Sequence, residues 1–285
     1  MYVPAVSTPE TVETNSSDLP RGELWLFGGT IFLGAFLLFQ VQPVIGKYIL
    51  PWFGGTPGVW TTCLLFFQCL LLGGYAYAHW LSQLAPQQQA KIHLTLLGIV
   101  GVILGGVLLS MIGGLSPIEW LKPDPSMAAG SPVLGILTLL VVGIGLPYLV
   151  LSSTGPLVQA WFARKYDGRS PYRLYALSNV GSLLALITYP FLVEPYASRG
   201  VQVGAWVFGM VCFAVVCGQL ARSIRRIPET DTEPESKDQA EALDLKRQLL
   251  WLLLPACGTA QLMATTNKVT QDVAVTPFLW ILPLT

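Results

Sequence analysis

The sequence predicts an all-α integral membrane protein, a polytopic helical bundle, from three observations. Only 11% of the 285 residues are charged and 53% are hydrophobic, whereas a water-soluble domain usually carries about 25% charged residues. Seven long apolar runs follow one another, and a bilayer-spanning helix needs roughly 20 apolar residues. The basic residues cluster in alternate connections between these runs, as they do in membrane proteins. We therefore expect the lipid bilayer to be the main partner. The net charge of zero gives no indication of nucleic acid.

The predicted spans are residues 24–50, 59–81, 92–112, 132–162, 172–193, 201–220 and 249–263, and an eighth begins at Pro277. The first and fourth runs exceed the bilayer thickness and contain Pro43 and Pro156, so we expect both helices to be tilted or broken. The eighth run, PFLWILPLT, is too short to cross a bilayer. The chain is therefore expected to be the N-terminal part of a longer protein, cut within its eighth helix.

Four segments are predicted from these runs. Residues 1–23 are a polar cytoplasmic tail without the positive start and short apolar core of a cleavable signal peptide. Residues 24–220 form a six-helix membrane bundle. Residues 221–248 carry mixed charges and two prolines, which predicts a solvated cytoplasmic linker. Residues 249–285 begin a second membrane bundle, with helix seven and the shortened helix eight.

Orientation follows from the sixteen lysine and arginine residues. With the N-terminus in the cytoplasm, all of them face inside except Lys47, Lys122, Arg199 and Lys268. Positive charge favours the cytoplasmic side of short loops. We therefore predict a multi-pass protein of a bacterial inner membrane with a cytoplasmic N-terminus.

A weak internal repeat is visible at the helix starts. Thr56-Pro57, Ser170-Pro171 and Thr276-Pro277 precede every third predicted helix, and a Ser or Thr cap followed by proline is a helix start signal. Units of three helices must alternate in orientation, which is the inverted-repeat plan of many transporters. Chance recurrence is the alternative, because such starts are common. Six helices arranged as 3+3 inverted units, followed by a long charged loop and a seventh helix, are typical of a major-facilitator-like architecture.

Several long blocks resemble one protein family. They are FLLFQVQPVIGKYILPWFGGTPGVWTTCLLFFQCLLLGGYAYAH from Phe36, PYLVLSSTGPLVQAWFA from Pro147, SPYRLYALSNVGSLLALITYPFLVEP from Ser170 and TQDVAVTPFLWILPL from Thr270. The chain is similar here to the N-terminal membrane region of bacterial fused major-facilitator/spermidine-synthase-like proteins. The resemblance implies a C-terminal soluble domain of aminopropyltransferase type in the full-length protein. That domain is absent from this sequence, so no catalytic residue is carried over and no cofactor is expected for this chain.

Two functions follow from this resemblance. In the first, the membrane module of the fusion protein transports a small polar or cationic solute. In the second, it transports nothing and anchors or regulates the missing enzyme domain. Independent permease activity would require helices beyond residue 285.

Two polar clusters flank prolines inside predicted spans and are candidate transport or binding sites, because polar groups in lipid are costly. The first comprises Gln40, Gln42 and Lys47 near Pro43. The second comprises Ser152, Ser153, Thr154 and Gln159 near Pro156. Each cluster has a structural alternative: the glutamines can bond a neighbouring helix while Lys47 reaches the outer interface, and the hydroxyls can bond carbonyls of their own helix.

Four further candidates lie elsewhere. Ser178 and Asn179 in the fifth span either bond another helix or contact a ligand. Glu194 and Asp272 are the carboxylates expected near the outer membrane edge, where a polyamine carrier would need anions. Asp272 belongs to the polar stretch 265–272, which also fits an outer loop. Neutralising both is predicted to abolish polyamine uptake if that hypothesis holds. The five cysteines and two histidines show no metal-binding spacing.

Overall fold

The computed structural model describes residues 21–115, 122, 131–166, 169–225 and 244–272, and every regular element in these ranges is helical. The helices are α1 (Arg21–Phe53), α2 (Pro57–Ser82), α3 (Pro86–Ile112), α4 (Pro132–Leu140), α5 (Leu146–Lys165), α6 (Tyr172–Thr188), α7 (Glu194–Tyr196), α8 (Arg199–Ile224) and α9 (Leu245–Asp272). Two π-helical segments, Val141–Gly145 and Tyr189–Val193, join α4 to α5 and α6 to α7.

Six spans in the described part are long and apolar enough to cross a membrane: Gly22–Phe53, Pro57–Ser82, Pro86–Ile112, Pro132–Lys165, Tyr172–Tyr196 and Arg199–Ile224. They match the first six predicted spans, with each observed helix the same length or longer. The predicted seventh span is a helix, α9, but it is not among these six. The predicted helix from Pro277 lies outside the described residues.

Proline marks the start of several helices, as expected from its fixed φ and missing N–H. Pro57, Pro86 and Pro132 each occupy the first helical position. The predicted Thr56 cap is correct in position, but its side chain makes no capping hydrogen bond. In the second predicted start, Pro171 is itself the capping residue and α6 begins one residue later, at Tyr172.

The irregular turns do not lie at the prolines that the sequence had indicated. Helix α1 continues through Pro43, and α5 continues through Pro156. The fourth span instead changes its hydrogen bonding at Val141–Gly145, nearer to its start. The break expected at Pro156 was therefore wrong in position. The second π segment contains Pro190, which has no N–H to donate.

Ion pairs define the two ends of the bundle. Glu23 in the first turn of α1 lies 2.8 Å from Lys165 at the end of α5, and Lys47 in α1 lies 2.9 Å from Glu194 in α7. We call these ends the Lys165 end and the Lys47 end. Consecutive spans run in alternate directions between them.

Helix α1 is the central element of the packing. It contacts α5, α6 and α8, while α2 packs against α5 and α3 against α8. Glycine permits two of these close approaches: a Cβ at Gly181 would lie 2.7 Å from the carbonyl oxygen of Phe32, and one at Gly74 would lie 2.9 Å from the backbone nitrogen of Ser153. Buried side chains form a large cluster through the bundle middle and a second one near the Lys165 end.

Candidate functional site

A cavity of about 440 Å³ lies between α1, α2, α5 and α6, around the middle of their spans and toward the Lys165 end. Its lining combines apolar side chains with ten polar ones, none of which carries a charge at neutral pH. The polar lining residues are Gln42, Gln68, Tyr75, Tyr148, Ser152, Gln159, Tyr175, Ser178, Asn179 and Ser182. We call this space the central cavity.

The central cavity brings together five of the residues singled out in the sequence. They are Gln42 from the first polar cluster, Ser152 and Gln159 from the second, and Ser178 and Asn179 from α6. One member of the first proline-associated cluster and two of the second thus meet at one site, although more than one hundred residues separate them in the sequence.

One hydrogen bond links the first cluster to α5, the helix that carries the second cluster. The Nε2 atom of Gln42 donates to the hydroxyl of Tyr148 over 3.3 Å, which connects α1 to α5. Tyr148 is 2% exposed, and its ring packs against Phe67 of α2 with 5.1 Å between centroids. A buried phenol needs such a partner, so Tyr148 is held in place on the cavity wall.

Ser152 belongs both to the cavity wall and to the helix packing. Its hydroxyl donates to the carbonyl of Leu149 in its own helix, at 2.9 Å, and lies 3.3 Å from the carbonyl of Leu70 in α2. The second contact joins α5 to α2. The bond within its own helix, which the sequence analysis gave as the structural alternative, is therefore only one of the two contacts of this hydroxyl.

Ser153 and Thr154 do not line the central cavity. Both hydroxyls donate to the carbonyl of Val150, at 2.8 and 3.0 Å, and both residues are buried in the packing of α5. The structural alternative for these two residues therefore fits their geometry.

Gln40 also lies apart from the central cavity, although it is only two residues from Gln42. It lines a separate space of about 300 Å³ between α1, the end of the fifth span and α8. Residues two apart on a helix point in different directions, so the two glutamines of the first cluster serve different sites.

Lys47 and Glu194 form an ion pair at the Lys47 end rather than a cavity wall. Lys47 is also 5.8 Å from the ring centroid of Tyr189, and Arg199 is 5.7 Å from that of Tyr48. The carboxylate of Glu194 is therefore already neutralised by a cation. Asp272 ends α9, and its side chain lies outside the described part. The outer loop considered for residues 265–272 is helical instead.

Five polar cavity residues were missed in the sequence: Gln68, Tyr75, Tyr148, Tyr175 and Ser182. A signal for part of them was present. Tyr175, Ser178, Asn179 and Ser182 recur at the i, i+3, i+4, i+7 spacing of one helix face. Gln68 and Tyr75 are likewise seven residues apart, on one face of α2. A search for polar residues that recur on one face of an apolar helix would have identified both the α6 set and the α2 pair.

Three amides on the cavity wall keep free hydrogen-bonding capacity. The side chains of Gln68, Gln159 and Asn179 make no hydrogen bond with other residues of the described part. Each amide offers two N–H donors and a carbonyl acceptor. The wall therefore presents both donors and acceptors to whatever occupies the cavity.

At the Lys165 end, Glu23 accepts hydrogen bonds from Lys165 and from the hydroxyl of Tyr166. Burial raises the pKa of Tyr166 above its usual range, and the hydrogen bond to the Glu23 carboxylate raises it further. Arg164 donates to the carbonyl of Ser82 at 3.2 Å. These contacts tie α1, α2 and α5 together beyond the cavity.

His93 is fully buried in α3, between a tyrosine hydroxyl and a cysteine sulfur. Its Nδ1 lies 3.2 Å from the hydroxyl of Tyr77, and its Nε2 lies 3.6 Å from the sulfur of Cys217. Nearby, Trp161 donates to Gln89 at 2.8 Å. Within the described ranges no group of three or more His, Cys, Asp or Glu side chains could hold a metal ion.

Comparison with known proteins does not identify a relative: no family model, curated protein or solved structure matches the chain.

Proposed function

We propose that this chain is a membrane module that binds a small uncharged polar solute in the central cavity and passes it across the bilayer. The observation that carries the proposal is the cavity itself, which places ten polar but unionised side chains at the middle of four spans. Polar groups inside a membrane are costly and are usually retained for function. A volume of about 440 Å³ lies within the usual range for small-molecule sites.

The lining favours a neutral solute over a cation. Among the described residues, no Asp, Glu, Lys or Arg side chain lines the central cavity, and a charged solute leaving water without a counterion would be strongly penalised. Glu194, one of the two carboxylates considered for a polyamine, is paired with Lys47. A polyamine is the solute that the carboxylates Glu194 and Asp272 suggested in the sequence, whereas the cavity favours a molecule with hydroxyl or amide groups.

The recognition chemistry follows from the free amides. Gln68, Gln159 and Asn179 can each donate to and accept from a solute, and they lie on three different helices. The rings of Phe67, Tyr75 and Tyr148 add apolar surface beside them. A few placed polar groups on a largely apolar wall are typical of small-molecule sites.

The helix contacts support a major-facilitator-like arrangement with 3+3 inverted repeats. If spans one to three correspond to spans four to six, then the packing of α1 on α6 corresponds to the packing of α5 on α2. Both contacts are extensive, and a close-approach glycine lies at each, Gly181 and Gly74. The contacts of α1 with α8 and of α5 with α3 also correspond, although the second is smaller.

Charge supports a cytoplasmic Lys165 end and an inner-membrane location. In the described part of the first six spans and their connections, the Lys165 end has Arg21, Lys91, Arg164, Lys165, Arg169, Arg173, Arg222 and Arg225, whereas the Lys47 end has Lys47, Lys122 and Arg199. Under the positive-inside rule, the N-terminus then lies in the cytoplasm. The central cavity extends toward that side. An enzyme domain in a full-length fusion protein would be reached from the same compartment.

The test is thiol labelling of cavity positions in proteoliposomes. The five native cysteines are replaced by alanine, and a single cysteine is introduced as Gln159→Cys or Ser178→Cys. Val102→Cys on α3 is the matched control, because Val102 is 78% exposed on an apolar span and is expected to face lipid. A membrane-impermeant maleimide reacts with thiolate in water, so the cavity variants should be labelled and the control should not.

Solute protection then distinguishes the functions. A panel of sugars, polyols and simple amides is compared with spermidine for slowing the labelling, and the same solutes are tested for uptake. Protection and uptake of a neutral solute support the proposal. Protection by spermidine alone supports the cationic alternative and refutes ours. Labelling without protection, or no labelling, leaves the module as an anchor or regulator and also refutes the proposal.

A further inference from the structure

Helices α3 and α8 carry exposed cations that no carboxylate neutralises. Lys91 lies near the start of α3, and Arg222 and Arg225 lie where α8 ends, so all three are at the Lys165 end. Neither helix contains an Asp or Glu residue. Within the described part of the chain, none of these three cations forms an ion pair, whereas Lys47 and Lys165 are each paired with a glutamate.

Two contacts fix how α3 lies along α8. The Cδ2 of Leu94 is 3.7 Å from the position that a Cβ would take on Gly218, and the Nε2 of His93 lies 3.6 Å from the sulfur of Cys217. The two spans run in opposite directions, so residues that meet in this way are at the same depth. Leu94 and Gly218 therefore mark the seam between α3 and α8.

Lys91 and Arg222 lie one turn beyond this seam contact, toward the Lys165 end. Lys91 precedes Leu94 by three residues and Arg222 follows Gly218 by four, and residues at these spacings are neighbours on a helix surface. The rise of the helix displaces them from the contact by about 4.5 Å and about 6 Å. Both side chains are exposed. Two cations thus flank the seam at nearly the same depth, where they repel each other unless an anion lies between them.

A mainly apolar groove of about 620 Å³ continues from Lys91 along α3. Its described lining lies on one face of the helix and consists of Gln88, Lys91, Ile92, Thr95, Leu96 and Ile99. Ile99 lies about 12 Å farther from the Lys165 end than Lys91 does. It is 48% exposed, on a span that is apolar enough to cross a membrane. The surface therefore changes from cationic to apolar with depth.

We propose that the seam between α3 and α8 binds an anionic phospholipid, whose phosphate lies between Lys91 and Arg222 while one acyl chain follows the α3 groove. Basic pockets between membrane helices bind anionic headgroups, and each nearby cation contributes to the attraction. A zwitterionic headgroup would bring a further cation to a place that already holds two. The described lining of the central cavity includes no residue of α3 or α8, so this site is separate from the solute site.

The experiment compares two lipids by native mass spectrometry of the full chain, released from an uncharged detergent. The chain is titrated with phosphatidylglycerol and, separately, with phosphatidylcholine that carries the same acyl chains. We expect the first phosphatidylglycerol to bind more tightly than the first phosphatidylcholine. Circular dichroism before each titration checks that every variant has the helix content of the wild type.

Three variants of equal charge locate the site. Lys91→Gln and Arg222→Gln should each weaken binding of the first phosphatidylglycerol by about fivefold, which corresponds to the loss of one cation near a membrane surface. Their binding of phosphatidylcholine should be unchanged. Arg173→Gln is the matched control, because Arg173 is an exposed cation at the same membrane end but belongs to α6. The positive-inside rule applies equally to all three positions, so it predicts no difference between them.

Each outcome decides the proposal. A loss in Lys91→Gln and in Arg222→Gln, without one in Arg173→Gln, supports it. Equal losses in the three variants would show a general effect of net charge and would overturn the site, as would equal binding of the two lipids by the wild type. Displacement of phosphatidylglycerol by an equal concentration of sn-glycerol 3-phosphate would show a site for soluble anions that does not use the groove, and would refute the lipid as its occupant.

Discussion

Replacing Gly74 by alanine should separate α2 from α5 and destabilise the protein. A Cβ at this position would lie 1.9 Å from the Oγ of Ser152, 2.7 Å from its Cβ and 2.9 Å from the backbone nitrogen of Ser153. The hydroxyl can rotate away, but only by giving up its contacts with Leu70 and Leu149. The backbone nitrogen cannot move without shifting α5.

The magnitude follows from three contributions. Overpacking of a well-packed contact typically costs about 1–3 kcal/mol. Loss of an interhelical hydrogen bond in a membrane adds about 0.6 kcal/mol. Alanine returns up to about 1 kcal/mol through its better helix propensity. We therefore expect Gly74→Ala to lower the free energy of unfolding by about 1–3 kcal/mol.

The neighbouring glycine gives a matched control for this prediction. A Cβ at Gly73 would lie 3.7 Å from the Cδ1 of Leu149, an ordinary van der Waals contact. Gly73→Ala should therefore be neutral or slightly stabilising. Both variants are measured by SDS titration in mixed micelles, with far-ultraviolet circular dichroism following helix loss.

A second-site change tests the named contact. Ser152→Gly removes the two shortest clashes and leaves the one at 2.9 Å, so it should cost less in the Gly74→Ala background than in the wild type. If Gly74→Ala proves as stable as Gly73→Ala, the close packing of α2 on α5 is not as described and the reasoning fails.

Two further predictions concern the ion pairs at the ends of α1. Lys47→Met and Glu194→Gln should each lower the free energy of unfolding by less than about 1 kcal/mol, because the ion pair is partly exposed. In the same SDS assay, the double variant should lose less stability than the sum of the two single losses. Strictly additive losses would exclude a direct interaction between the two side chains. Tyr166→Phe should lower stability most below pH 10. The raised pKa of Tyr166 means that the protonated form is favoured in the folded state, so its contribution is complete below the usual tyrosine pKa and is lost as pH rises through the folded value. The stabilities of wild type and variant should converge at high pH, and a gap that widens there would contradict the assignment.

The sequence predicted the spans well because hydropathy over twenty residues is a strong signal. Its errors come from local hydrogen bonding, which hydropathy does not report. Val141–Gly145 is a continuous apolar stretch, so nothing in its composition distinguishes a π turn from an α turn. Pro156 was the clearer sequence signal for a break, yet the helix continues through it despite the missing N–H. The opposite error occurred near Asp272: the polar residues from Thr265 onward suggested that the helix ends there, but the helix continues to Asp272.

The central cavity could be predicted only in part, because its residues converge through tertiary packing. Gln42 and Ser152 were visible as polar residues beside prolines, but the hydrogen bond between Gln42 and Tyr148 depends on how α1 meets α5. Tyr148 gave no signal of its own among apolar neighbours. Gln40 and Gln42 were indistinguishable in the sequence, and only the packing of α8 on α1 assigns them to different cavities.

The π segment at Val141–Gly145 has a consequence for how this membrane span tolerates changes in length. Adding one residue to an α-helix rotates everything beyond it by about 100°, which would turn Ser152 and Gln159 away from α2 and α6. A π turn accommodates one additional residue within a single turn, so the helical segments on both sides keep the same faces toward their neighbours. A single-codon deletion within residues 141–145 should therefore restore a regular helix while α5 keeps its orientation. Length variation in this span is expected to be confined to that turn.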